Sequence, residues 1–66
     1  MDLGDYIKAK RLALGMSREE LGEKIGKEAQ TIEHYELGAS YPHYRNLEKI
    51  MDALESEIVF VGKEQK

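Results

Sequence analysis

Ser17-Arg18-Glu19-Glu20-Leu21-Gly22-Glu23-Lys24-Ile25-Gly26-Lys27-Glu28-Ala29-Gln30-Thr31-Ile32-Glu33-His34-Tyr35-Glu36-Leu37-Gly38 is the stretch whose reading decides the fold. Ser17 followed three residues later by Glu20 is a capping box. The serine hydroxyl accepts from the Glu20 amide, and the Glu20 carboxylate reaches back to the start of the helix. Leu21 and Ile25 then supply one apolar face, so a helix is expected over about 17–25, stopped by Gly26. A second helical stretch, roughly 28–37, carries Ala29, Ile32, Tyr35 and Glu36 at helical spacing and stops at Gly38. Only a few residues around Gly26 join the two, which forces a sharp angle between them.

The pattern extends both ways. Over 3–14, Leu3, Ile7 and Leu14 mark the apolar face of a first helix, with Lys8, Lys10 and Arg11 between them and Gly15 as its stop. Ala39-Ser40-Tyr41-Pro42 reads as a turn. A fourth helix is expected over about 43–54 on Tyr44, Leu47, Ile50, Met51 and Leu54. At this spacing Tyr35 and Tyr44 read as core aromatics. Beyond it, Ser56-Glu57-Ile58-Val59-Phe60-Val61 is β-branched and aromatic and reads as one strand. A lone two-sided apolar strand has no partner in a helical chain, so it is expected to pair with its copy in a homodimer through Ile58, Val59, Phe60 and Val61. The division is a helical domain over 1–55 and a strand and tail over 56–66.

Sixty-six residues and 7.6 kDa make one small domain with a thin core. There is no cysteine to supplement that core with a disulfide or a thiolate metal site. Charged residues are 35% and hydrophobic ones 41%, which is apolar enough for a core and too apolar for disorder. No signal peptide is read, and the longest apolar run, Ile58 to Val61, is too short to span a bilayer. A soluble cytoplasmic protein with no membrane partner is therefore expected. His34 and His43 are the two histidines and show no regular ligand spacing with carboxylates, so no metal site is expected. No Ser–His–Asp or Cys–His set and no glycine-rich phosphate loop is present. Neither catalytic residues nor a cofactor are expected, and the chain reads as no enzyme.

Two short helices joined at a sharp angle are the arrangement of a helix-turn-helix, whose second helix enters the DNA major groove. From Leu3 to Leu54 the sequence resembles the lambda-repressor-like helix-turn-helix family, the Cro and Xre-type regulators. The residues that carry the resemblance are Ile7, Arg11, Gly15-Met16-Ser17, Glu20-Leu21-Gly22, Ile25-Gly26, Thr31-Ile32, Tyr35-Glu36, Gly38, Pro42, Leu47, Ile50 and Ala53-Leu54. The resemblance implies an all-α, compact four-helix DNA-binding domain, here followed by the short C-terminal β-strand. Leu21, Ile25 and Ile32 would form the core between the motif helices. Gly22 would let them approach, and Gly26 would take a left-handed conformation. Arg11 and Glu36 resemble the family's ion pair between the first helix and the end of the third.

Carried over by position, the resemblance places Arg18 on a phosphate. It places Ala29, Gln30 and Glu33 on the groove-facing side of the third helix, with Thr31 and His34 beside them. Ser40, His43 and Arg45 belong to the loop that follows the DNA backbone. Gln30 suits a bidentate bond to adenine, Ala29 a thymine methyl and Glu33 a cytosine amino group. Double-stranded DNA is the implied partner, read by a homodimer on a palindromic operator whose occupation represses a promoter.

The charge leaves a second reading open. The whole chain carries 10 basic and 13 acidic side chains, a net of −3, whereas nucleic-acid binders tend to be basic. Lys27 against Glu28, Glu33 and Glu36 gives the third helix a net of −2. Glu28 stands at an N-cap place where the family prefers Ser or Thr. The tail is similar to the antitoxin branch of the family. A protein-interaction module, such as an antitoxin that binds a toxin or an anti-regulator, is the alternative on the same scaffold.

Overall fold

The chain folds into four helices, α1 (Leu3–Ala13), α2 (Arg18–Ile25), α3 (Ala29–Leu37) and α4 (Tyr44–Ala53). The computed structural model describes residues 2–56. Within them every regular element is helical. Ile58 to Val61, the expected dimerising strand, and most of the tail assigned to 56–66 lie outside the described residues.

Local chemistry sets most of the boundaries. At the start of α2 both halves of the capping box form. The Glu20 amide donates to Ser17 Oγ at 3.0 Å, and the Ser17 amide donates to Glu20 Oε1 at 2.7 Å. The α2 end is closed by Gly26 at φ +74°, from which the Lys27 amide bonds back to the Gly22 carbonyl at 2.8 Å. Asp2 caps α1 by accepting from the Asp5 amide at 2.9 Å. Glu28 and His43 hold the N-cap positions of α3 and α4 with no side-chain cap bond. Like α2, both helices begin one residue later than the spacing alone predicts, because the first residue of each expected range is an N-cap with extended backbone.

Packing then closes the bundle. Ile7, Leu21, Ile32, Ile50 and Leu54 are fully buried, joined in one core by Ile25 and Tyr35. Leu3, Met16 and Ala53 pack against its edge. Two expectations from helical spacing are corrected. Leu14 is the C-cap of α1 rather than a member of its apolar stripe and is exposed. Tyr44 is exposed too, because α4 turns Ile50, Met51 and Leu54 inward and leaves its first turn at the surface. There the phenol pKa is raised above its ordinary value by desolvation and then by the charge and hydrogen bond of Glu48.

Two glycines let backbones meet. A Cβ at Gly22 would stand 2.5 Å from the Lys27 carbonyl oxygen, and one at Gly4 would stand 2.5 Å from that of Glu36. No side chain fits at either place without moving backbone. The α1–α3 and α2–turn contacts thus depend on glycine at these two sites. At the far end, Glu55 adopts φ +58° as α4 ends, and the Ser56 amide bonds to the Met51 carbonyl at 2.8 Å. The non-glycine residue there does the work of a left-handed cap. Tyr6 Oη and Ser56 Oγ share a hydrogen bond of 2.8 Å, which ties this end to α1.

Gly22→Ala should be the more damaging of two glycine substitutions. It should cost about 1–3 kcal/mol or more from overpacking against backbone. Gly26→Ala meets nothing within 4 Å and should cost only the about 1–2 kcal/mol of a left-handed alanine. Urea denaturation of the two variants ranks them, and an equal or inverted order would overturn the close-approach account.

Candidate nucleic-acid interface

One carboxylate organises the region where α1, α2 and α3 meet. Glu36, near the end of α3, is buried, and so is Arg11 in the last turn of α1. Arg11 Nε donates to Glu36 Oε2 at 2.6 Å and its Nη2 donates to Oε1 at 3.3 Å. This is the two-pronged geometry in which arginine binds a carboxylate most strongly. Arg11 Nη1 donates to the Met16 carbonyl at 2.8 Å, which ties down the α1–α2 turn. Arg18, at the first position of α2, donates its Nε to Glu36 Oε1 at 3.1 Å. No buried side-chain polar atom among the described residues lacks a partner.

The outer face of α3 is open. Gln30, Glu33 and His34 are exposed, while Ala29 and Thr31 are half-buried. An open cleft between the start of α2 and the start of α3 is lined by Arg11, Ser17, Arg18, Glu19, Ala29, Gln30 and Glu33. The structure therefore brings Arg18, Ala29, Gln30 and Glu33 of the sequence-derived set to one surface feature. Thr31 and His34 are not part of its lining. Ser40, His43 and Arg45 are exposed, but in the turn after α3 and the first turn of α4. That turn is held to α3 through the His34 carbonyl, which accepts from the Ala39 amide at 2.9 Å and the Ser40 amide at 3.3 Å.

The electrostatics follow from the buried pair. Glu36 is matched internally, so the acids that α3 shows to solvent are Glu28 and Glu33, with Glu19 across the cleft. Arg18 is the cation of the cleft that reaches its rim, with 36% of its side chain exposed against 7% for Arg11. Among the described residues no group of three histidine, aspartate or glutamate side chains could hold a metal ion. No described helix is long and apolar enough to cross a membrane.

Two contributions escape a linear reading of the sequence. The Arg18–Glu36 bond joins residues 18 positions apart, and no periodicity announces it. Gly4 sits in the first turn of α1, where only its isolation within a helical pattern was a signal.

The geometry is that of two helices sharing a small core, joined through a left-handed glycine, with the second presented outward. A helix-turn-helix family model of the Cro/Xre type matches residues 7–61. The chain belongs to this family. It is 36% identical over 58 residues to proteins of Sinorhizobium medicae and Rhizobium meliloti, both named uncharacterized HTH-type transcriptional regulators. The alignment covers 88% of this chain and 42% of each relative, so this helix-turn-helix chain spans less than half their length. No solved structure matches it at comparable significance.

Replacing one member of the buried pair leaves the other charge uncompensated. Glu36→Gln is expected to cost about 3–5 kcal/mol, most of the stability of a domain this small. Chemical denaturation reads this directly. A loss near that of an exposed ion pair, about 0–1 kcal/mol, would show that Glu36 does not hold the helices together.

Proposed function

We propose that this chain is a sequence-specific DNA-binding transcriptional regulator that acts as a homodimer on a palindromic operator and represses by occupying a promoter. The observation that carries the reading is the helix-turn-helix itself, with the outer face of α3 open and its far end clamped by Arg11 and Glu36. The relatives named as transcriptional regulators support it. Gln30 bonds adenine bidentately, Ala29 meets a thymine methyl and Glu33 accepts from a cytosine amino group, with Thr31 and His34 beside them. Arg18, Ser40, His43 and Arg45 hold the phosphate backbone. Ile58, Val59, Phe60 and Val61 join the two protomers. Their recognition helices then lie about 34 Å apart, one turn of DNA.

The exposed acids favour one second reading. Glu28 and Glu33 repel phosphate, and a basic protein, such as a toxin matched by an antitoxin, would find them complementary. Selection of bound duplexes from a random DNA library, at low and at physiological salt, separates the two. Enrichment of a palindrome with half-sites one turn apart supports the regulator. Absence of enrichment from folded protein at both salts transfers the weight to the protein-binding module.

On the selected site, Gln30→Ala should cost about 1–3 kcal/mol of binding and relax preference at one base pair. An unchanged affinity would remove Gln30 from the readout. Phe60→Lys should shift the mass in solution, measured by light scattering, from dimer to monomer. A mass that does not change would place the dimer contact elsewhere.

A further inference from the structure

The contact between Arg18 and Glu36 has a consequence for how the cleft engages its target. Arg18 is attached to the scaffold through Nε alone. Its two terminal nitrogens make no hydrogen bond among the described residues, and the side chain stands partly exposed at the cleft rim. An arginine fork has donors to spare, so one edge can stay on a carboxylate while the other meets a phosphate. The Glu36 carboxylate lies 1% exposed and already carries both bonds from Arg11. It is a fixed point from which the Arg18 guanidinium can be aimed.

The α2 terminus is by itself a weakened anion site. The capping box consumes the Ser17 and Glu20 amides, and the first turn carries the acids Glu19 and Glu20. Among the described residues the Arg18 and Glu19 amides stay open at the helix start, so a phosphate at this end of the cleft meets them and draws its full positive charge from the Arg18 side chain.

We propose that Glu36 is a positioning residue for DNA as well as a clamp for the fold, holding Arg18 by its Nε so that its terminal nitrogens form a preset phosphate anchor. The inference rests on the DNA-binding reading above. Because the arginine is already ordered, less side-chain freedom is lost when the phosphate arrives. The same carboxylate then links the phosphate grip at the start of α2 to the seating of α3. In a chain with a net charge of −3, one aimed cation matters more than several loose ones.

Glu36 itself is a poor place for the test, since its loss endangers the fold, so the test acts on Arg18. Binding of the full chain to its selected duplex is measured against salt for the unaltered protein, Arg18→Ala and Arg18→Lys, each first shown to be folded. Arg18→Ala should reduce the slope of log affinity against log salt by about 0.9, the share of one phosphate, with base preference unchanged. Arg18→Lys keeps the charge, but its compact ammonium lacks the planar fork whose separate nitrogens let one edge stay on the recessed carboxylate while another meets a phosphate. It should therefore fail to restore binding, staying at least about fivefold weaker than the unaltered chain. An unchanged salt slope in Arg18→Ala overturns the phosphate anchor and leaves Arg18 a structural partner of Glu36. Affinity fully restored in Arg18→Lys overturns the positioning by Glu36, since a bare point charge then suffices. Failure of the unaltered chain to bind any duplex overturns the DNA-binding reading itself, and this inference with it.

Discussion

A single buried carboxylate, Glu36, receives hydrogen bonds from two arginines on two other helices, and the arrangement of α1, α2 and α3 depends on it. Burying a charge is costly unless it is paired and hydrogen-bonded. Here the carboxylate is met by Arg11 through two nitrogens and by Arg18 through one, while Arg11 also bonds the Met16 carbonyl. The apolar core would tolerate small rotations of α3, because dispersion and hydrophobic burial have little directionality. The forked hydrogen bonds do not. They specify where the end of α3 sits relative to α1 and to the start of α2, which is also where the open cleft lies.

The close contacts around that clamp are made by absence of side chains. Gly4 admits the Glu36 carbonyl against α1, and Gly22 admits the Lys27 carbonyl against α2. With a core of so few large residues, separation of the helices by even one methyl group would open space that nothing nearby could fill. The polar clamp and the two glycine contacts thus act on the same elements from opposite sides. One draws α3 toward α1 and α2, and the other removes what would keep it away.

Electrostatic matching inside also shapes the outside. Glu36 contributes to the acidic tally of α3 in the sequence, yet it is withdrawn from the surface together with Arg11. What faces a partner is Arg18 at the rim, the neutral Ala29 and Gln30, and the acids Glu19, Glu28 and Glu33. Such a surface gives little non-specific attraction to a polyanion. Discrimination on it has to come from directed hydrogen bonds.

Much of this architecture was legible in one dimension. The capping box at Ser17 and Glu20, the stops at Gly26 and Gly38 and the apolar spacing of Leu21, Ile25 and Ile32 are local signals. Local backbone chemistry is enough to place the motif helices to within a residue. Local spacing also misassigned Leu14 and Tyr44, because a periodic apolar residue at a helix end is buried only if another element covers it, and none of the described elements buries these two. What the sequence by itself determined is the helix-turn-helix, its family and the residues offered on α3. Only the tertiary structure decided that Arg18 joins Arg11 on Glu36, that Gly4 faces the Glu36 carbonyl, and which acids remain exposed. Those depend on which side chains meet across three helices far apart in the chain, and hydrogen-bond geometry between them is a property of packing that no spacing rule encodes.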